Sequence, residues 1–192
     1  MCSTQEQNKK TGEPPQGLIV YSSKTGNTRN LAEAIHRGFA EAGISAQLAP
    51  VEENPDPLGA AWILLGFWAD RGRGDAKALD YLKGLSGFRL GLFGTLGAYP
   101  DSAHAKGLAQ TMQALVAEKN TPLGCFLCQG KIDPALTERF KSLPADHPHG
   151  MNEERMQRHR EAAKHPDDAD RAAAIAACTA MIAASSGAGG AG

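Results

Sequence analysis

The chain has 192 residues, a formal net charge of −1 and 42% hydrophobic residues, which is enough to bury one core. Split near residue 132, neither part is basic, which argues against nucleic acid as a partner. No apolar run approaches the roughly 18 residues that a membrane span needs, and the polar opening MCSTQEQNKKTGEPPQ has no apolar signal region. Four irregularly placed cysteines make no disulfide framework, so the expectation is a cytoplasmic protein with reduced thiols.

Residues 1–16 read as a polar, disordered lead and SSGAGGAG (185–192) as a flexible tail, leaving one domain over 17–184. GLIVYS (17–22) is a continuous apolar run of strand length. Leu31, Ile35, Phe39 and Ala42 then mark one helix face, with Gly43 as its stop. ISAQLAPV (44–51) is a second strand and AWILLGF (61–67) a third, followed by a loop, WADRGRG (68–74). A short helix carries Ala78, Leu79 and Leu82. FRLGLFG (88–94) is a fourth strand, TLGAYPDS (95–102) another loop, and Leu108, Met112, Leu115 and Val116 the apolar face of the next helix. LGCFLCQ (123–129) is a fifth strand. Beyond it the spacing predicts helices over 134–143, 152–164 and 168–184, the last with an Ile175, Cys178, Ile182 stripe.

Strands alternating with helices predict a doubly wound parallel α/β sheet with right-handed crossovers. Ligands of such sheets bind beyond the C-terminal strand ends, so the junctions after strands 1, 3 and 4 are where function is expected. The first junction holds Ser22, Ser23, Lys24, Thr25, Gly26, Asn27 and Thr28. An ordinary N-cap needs one such polar residue, and this turn has five. Hydroxyls and an amide gathered at a helix start, around a glycine that allows a tight backbone, make a cradle for a phosphate dianion. The spacings of a Walker A loop and of GxGxxG are both absent, so a terminal phosphomonoester is favoured over a nucleoside triphosphate or a dinucleotide.

Ser23-Lys24-Thr25-Gly26-Asn27-Thr28 resembles the [T/S]-x-T-G-x-T phosphate loop of flavodoxins, in the right place between strand 1 and helix 1. The resemblance covers about 17–130 and the final helix. It implies a five-stranded sheet of order 2-1-3-4-5 with extra helices after strand 5, and FMN as cofactor with Thr25 and Thr28 holding its phosphate. By the same resemblance Phe67-Trp68-Ala69 is the loop whose aromatic, Trp68 or Phe67, stacks on the flavin. Thr95-Leu96-Gly97-Ala98-Tyr99 meets the pyrimidine edge, with Tyr99 as the second stacking partner. Stacking on an aromatic ring disfavours the electron-rich reduced flavin. The near-neutral charge departs from the acidic habit of the family. Lys24, Arg71 and Arg73 fall in the loops expected to approach the flavin, where positive charge would raise its potential.

The implied function is electron transfer between a reductase and a partner redox enzyme. The alternative is an FMN-dependent NAD(P)H oxidoreductase of the quinone or flavin reductase type, and a third class is a binding module that kept the fold without FMN. The oligomeric state stays open, with a monomer favoured. GFWADRG, GTLGAYPDS and FLCQGKIDP, with HPH downstream, resemble a bacterial subset of the family, some of whose members are associated with flavin-dependent reductases of tetrapyrroles such as bilirubin.

About 35 residues, Lys131 to His165, are inserted before the final helix and must start beside the cofactor. They either cover it or dock a partner. Within them His147 and His149 are too few for a structural metal site and read as a solvated loop, with a proton donor as the functional alternative. No metal is expected. Cys125 and Cys128 spell CxxC inside a strand, where residues three apart point to opposite faces, and are expected to be core thiols.

Overall fold

The computed structural model describes residues 16–142 and 152–184. The predicted lead and tail, and His147 and His149, lie outside the described residues, apart from Gln16 at the edge of the lead. The strands are β1 (Gly17–Tyr21), β2 (Ala46–Pro50), β3 (Trp62–Asp70), β4 (Arg73–Gly74), β5 (Arg89–Leu96) and β6 (Thr121–Gln129). The α-helices are α1 (Asn27–Glu41), α2 (Ala76–Lys83), α3 (Ala103–Ala117), α4 (Pro134–Lys141), α5 (Glu153–Ala162) and α6 (Asp168–Ala184).

The sheet runs β2-β1-β3-β5-β6 and its long strands are all parallel. This is the expected five-strand order, with β4 as an addition. Each central strand is buried on both faces, so neighbouring apolar residues serve opposite cores. Leu18, Val20, Ile63, Leu65 and Phe67 pack with α2 and α3, while Ile19, Leu64 and Phe93 pack with α1 and α6. Burial of each such side chain stabilises the fold by about 1.5–3 kcal/mol.

Two contacts show how close the layers come. A Cβ on Gly17 would sit 2.2 Å from the Trp62 ring, which itself meets Phe39 edge-on at 5.6 Å. A Cβ on Gly38 of α1 would sit 2.8 Å from Ile175 of α6, so that glycine lets the two helices approach. On α6 Ala174, Cys178 and Ile182 are buried, with Ile175 partly so, and Ala42 of the expected α1 face is exposed because it is already the C-cap.

The largest departure from expectation is at 68–74. Trp68, Ala69 and Asp70 extend β3, and the chain then doubles back antiparallel as β4, pairing Ala69 with Gly74 and Asp70 with Arg73. Arg71 (φ 50°) and Gly72 (φ 80°) are both left-handed, the signature of a two-residue turn matched to strand twist. Thr95 and Leu96 likewise belong to β5 rather than to the loop after it.

Cys125 and Cys128 fall as expected, the first partly buried and the second buried. Cys125 packs with the α2/α3 core and Cys128 with the α1/α6 core, so they face apart. Burial pushes the Cys125 thiol up to about 12 and raises Cys128 further. Such thiols are inert at neutral pH.

Candidate functional site

The first junction bends into α1 through Gly26 (φ 90°), the N-cap residue. A Cβ there would meet nothing within 4 Å, so glycine is required by the left-handed backbone and not by crowding. No side chain caps α1. Among the described α-helices this is the exception. Asp75 caps α2, Ser102 caps α3, Asp133 caps α4 and Asn152 caps α5, and Asp167 accepts from the Asp170 N–H at the start of α6. The helix start with the most capping residues beside it is thus the one whose N–H groups are left without a side-chain acceptor.

Those polar side chains go elsewhere. Ser22 is buried and donates to Asp75 Oδ1 at 2.7 Å. Thr28 is buried too, bonded to the Phe67 carbonyl (3.3 Å) and the Thr95 hydroxyl (3.0 Å). Ser23 Oγ is buried without a hydrogen-bond partner among the described residues. Asn27 Nδ2 donates to Thr25 Oγ1 (3.1 Å) and to the Lys131 carbonyl (2.8 Å).

Beside this loop lies a cavity of about 550 Å³, within the range of small-molecule sites. Of the residues expected at the site, Lys24, Thr25 and Asn27 line it from the first loop, and Trp68 and Ala69 from the end of β3. Thr95, Leu96, Gly97, Ala98 and Tyr99 line it from β5 and the loop beyond. Ser22, Ser23, Gly26, Thr28 and Phe67 are not on its wall. Phe67 is wholly inside the core, so of the two aromatics considered for stacking, Trp68 is the one on the cavity. Tyr99 stands at the rim, 40% exposed. Arg71 and Arg73 are exposed and off the cavity, Arg73 bordering a separate groove with Leu79 and Leu115. Lys24 alone of the three expected cations is on its wall, joined by Lys131 and Arg158.

Two sets of residues escaped the sequence. Asp75, 2% exposed, holds Trp68 by its backbone. Its N–H donates to the Trp68 carbonyl at 3.0 Å, its Oδ2 accepts from the Trp68 N–H at 3.3 Å, and its Oδ1 takes Ser22 and the first turn of α2. Its place just before a helix is a local signal for a cap and carries none for the Trp68 contact. The second set is the insertion, which contributes Ile132, Asp133, Leu136 and Phe140 from around α4, and Glu154, Arg158 and His159 from α5. The signal for these was positional: the insertion begins where β6 ends. Its root is tightly seated, since a Cβ on Gly97 would meet Ile132 at 2.7 Å and one on Gly130 would meet Asn27 at 2.9 Å.

A family model described as a flavodoxin domain matches residues 18–179. Two curated relatives are each called flavodoxin-like domain-containing protein BilS. The one from Clostridium symbiosum is 32% identical over 170 residues, 81% of this chain and 90% of that protein. The one from Clostridioides difficile is 29% identical over 155 residues, 80% and 88% of the two chains. Among solved structures, the metal-soaked Flv1 flavodiiron core of Synechocystis superposes with a TM-score of 0.53 at 15% identity, over 94% of this chain and 39% of that one, a likeness of fold. With a parallel sheet of the expected order and a family match over most of its length, the chain belongs to the flavodoxin family of flavin-binding redox proteins.

Proposed function

We propose that the chain is an FMN-binding electron-transfer protein that passes electrons between a reductase and a partner redox enzyme. The observation that carries this reading is the uncapped start of α1 beside the buried, partnerless Ser23 hydroxyl. A helix start with free N–H groups carries partial positive charge and suits a phosphate dianion. Folding alone gives no reason to leave it bare when every other described α-helix has a side chain accepting at its start. The residues present therefore fit FMN. Ser23, Thr25, Asn27 and the first-turn N–H groups would take the phosphate, Trp68 and Tyr99 would flank the ring, and the backbone of 95–98 would meet its polar edge. FMN, when bound, supplies one- and two-electron redox chemistry, and the protein binds, orients and tunes it. Thr28, bonded inward, would support the loop from beneath.

For the partner, the resemblance to proteins associated with tetrapyrrole reductases makes a flavin-dependent reductase of that kind the first to test. An anaerobic visible spectrum separates carrier from enzyme. A flavin band bleached by dithionite but not by NADH or NADPH alone marks a carrier awaiting its reductase, and rapid bleaching by either nicotinamide marks an oxidoreductase. The cradle is tested by fluorescence titration with FMN. Hydrogen bonds to a charged group are worth about 1.5–3 kcal/mol each, so Ser23→Ala with Thr25→Ala should weaken binding by about a hundredfold or more. An unchanged Kd would remove these two side chains from the phosphate site.

A further inference from the structure

Three charged or aromatic groups from three separate elements meet on the cavity wall. Lys24 Nζ, from the first loop, is 5.7 Å from the centroid of the Trp68 ring at the end of β3. The same ammonium is 3.4 Å from Asp133 Oδ2, at the root of the insertion. All three residues line the cavity. Lys24 is more than half exposed, so the ion pair adds little to stability. What it decides is where a mobile charge rests.

Asp133 is suited to that task because its own place is fixed. Its Oδ1 accepts from the Ala135 N–H at 2.9 Å as the N-cap of α4. That bond orients the carboxylate and leaves Oδ2 turned to Lys24. The root of the insertion is independently tied to the loop by the Asn27 Nδ2 to Lys131 carbonyl bond at 2.8 Å. A flexible four-carbon stem is thereby held by a rigid anchor, against an aromatic face that attracts cations.

We infer that Asp133 is a positioning residue that holds the Lys24 ammonium over Trp68, setting the charge beside the cofactor from within the insertion. The inference rests on the FMN reading for its consequence, but not for its geometry. A cation held at the indole stabilises the more negative, reduced state of a flavin stacked there and raises its potential. One anchored residue of the insertion would then tune the flavin without touching it.

The test is a double-mutant cycle of Lys24→Gln and Asp133→Asn. Asn ranks with Asp as an N-cap, so α4 keeps its start. Two readouts are used. In the apoprotein, quenching of tryptophan by iodide reports Trp68, because Trp62 is buried. If Asp133 positions Lys24, Asp133→Asn lowers iodide quenching as Lys24→Gln does, since the cation leaves the indole. If Asp133 acts only as a nearby negative charge, its removal raises iodide quenching, and the inference is overturned. In the FMN-loaded protein, Lys24→Gln should lower the midpoint potential, and that drop should shrink at least by half in the Asp133→Asn background. An equal drop in both backgrounds overturns the inference. Failure to bind FMN would count against the proposed function alone, and the quenching result would still decide the positioning.

Discussion

The sheet and the insertion are built by different rules. In the sheet, β1, β3 and β5 are buried on both faces and hold their places by packing, with few polar ties. In the insertion, α4 and α5 carry exposed residues along much of their length. They are held by caps (Asp133, Asn152), by the Thr137–His159 bond at 2.9 Å, by the ion pair of Arg160 with Glu153, and by the ties of their root to the first loop. The cavity lies on the seam. Its cradle and aromatic walls come from the rigid body, and its remaining wall from the lightly attached part. On the proposed FMN reading, affinity and tuning should therefore change at the insertion without disturbing the packing that folds the domain.

That contrast can be broken from either side. The largest effect should come from Phe93→Ala, which empties a fully buried site whose ring lies against Gly66. It should cost about 3–5 kcal/mol in denaturant unfolding. Leu136→Ala, on α4 and 39% exposed, should change the same unfolding free energy by no more than about 0.5 kcal/mol. Equal costs would show that the insertion is part of the cooperative core.

Asp75→Ala is intermediate. It removes the acceptor for Ser22, for the Trp68 N–H and for the first turn of α2 in one buried place, and should cost about 2–4 kcal/mol. It should also weaken FMN binding, because the backbone of Trp68 loses its clamp. Loss of stability with an unchanged Kd would show that Trp68 does not depend on it.

The smallest effect should be one of pH at the exit of the insertion. His165 Nδ1 meets Asp170 at 2.5 Å, with Glu161 and Asp167 also facing it. The bond to Asp170 raises its pKa above the ordinary 6.5, against the opposing pull of burial. A raised pKa means that its contribution is fully present below the unfolded value and is lost as pH rises through the folded one. Amide exchange at the end of α5 and the start of α6 should therefore quicken above that range, more than exchange in β1 or β3. His165→Gln should flatten the difference, and a flat profile in the unaltered protein would exclude this linkage.

The body was legible because burial on both faces writes strands as plain apolar runs, as in AWILLGF, and because Gly43 stops α1 as predicted. The hairpin was not, since the apolar run stops at Asp70 and the two glycines of DRGRG read as a loop, while Arg71 gives no hint of a left-handed backbone. Within the first loop, residue types suggested a phosphate site, but not that Ser22 and Thr28 would turn inward. That depends on Asp75, 53 positions away from Ser22, and on Thr95, 67 away from Thr28. Such long-range bonds leave no local pattern to read.

The two ends of the insertion meet. The Lys131 N–H donates to the His165 carbonyl at 3.0 Å, so the chain departs and returns at nearly one point. A detour closed in this way costs the host little, because closure entropy grows only slowly with length. The segment between those two residues should therefore behave as an exchangeable module, provided that a graft keeps the buried Ala162 contact. A chain in which it is exchanged for that of a relative should keep α6 docked on α1, which gives a direct way to regraft the wall of the cavity.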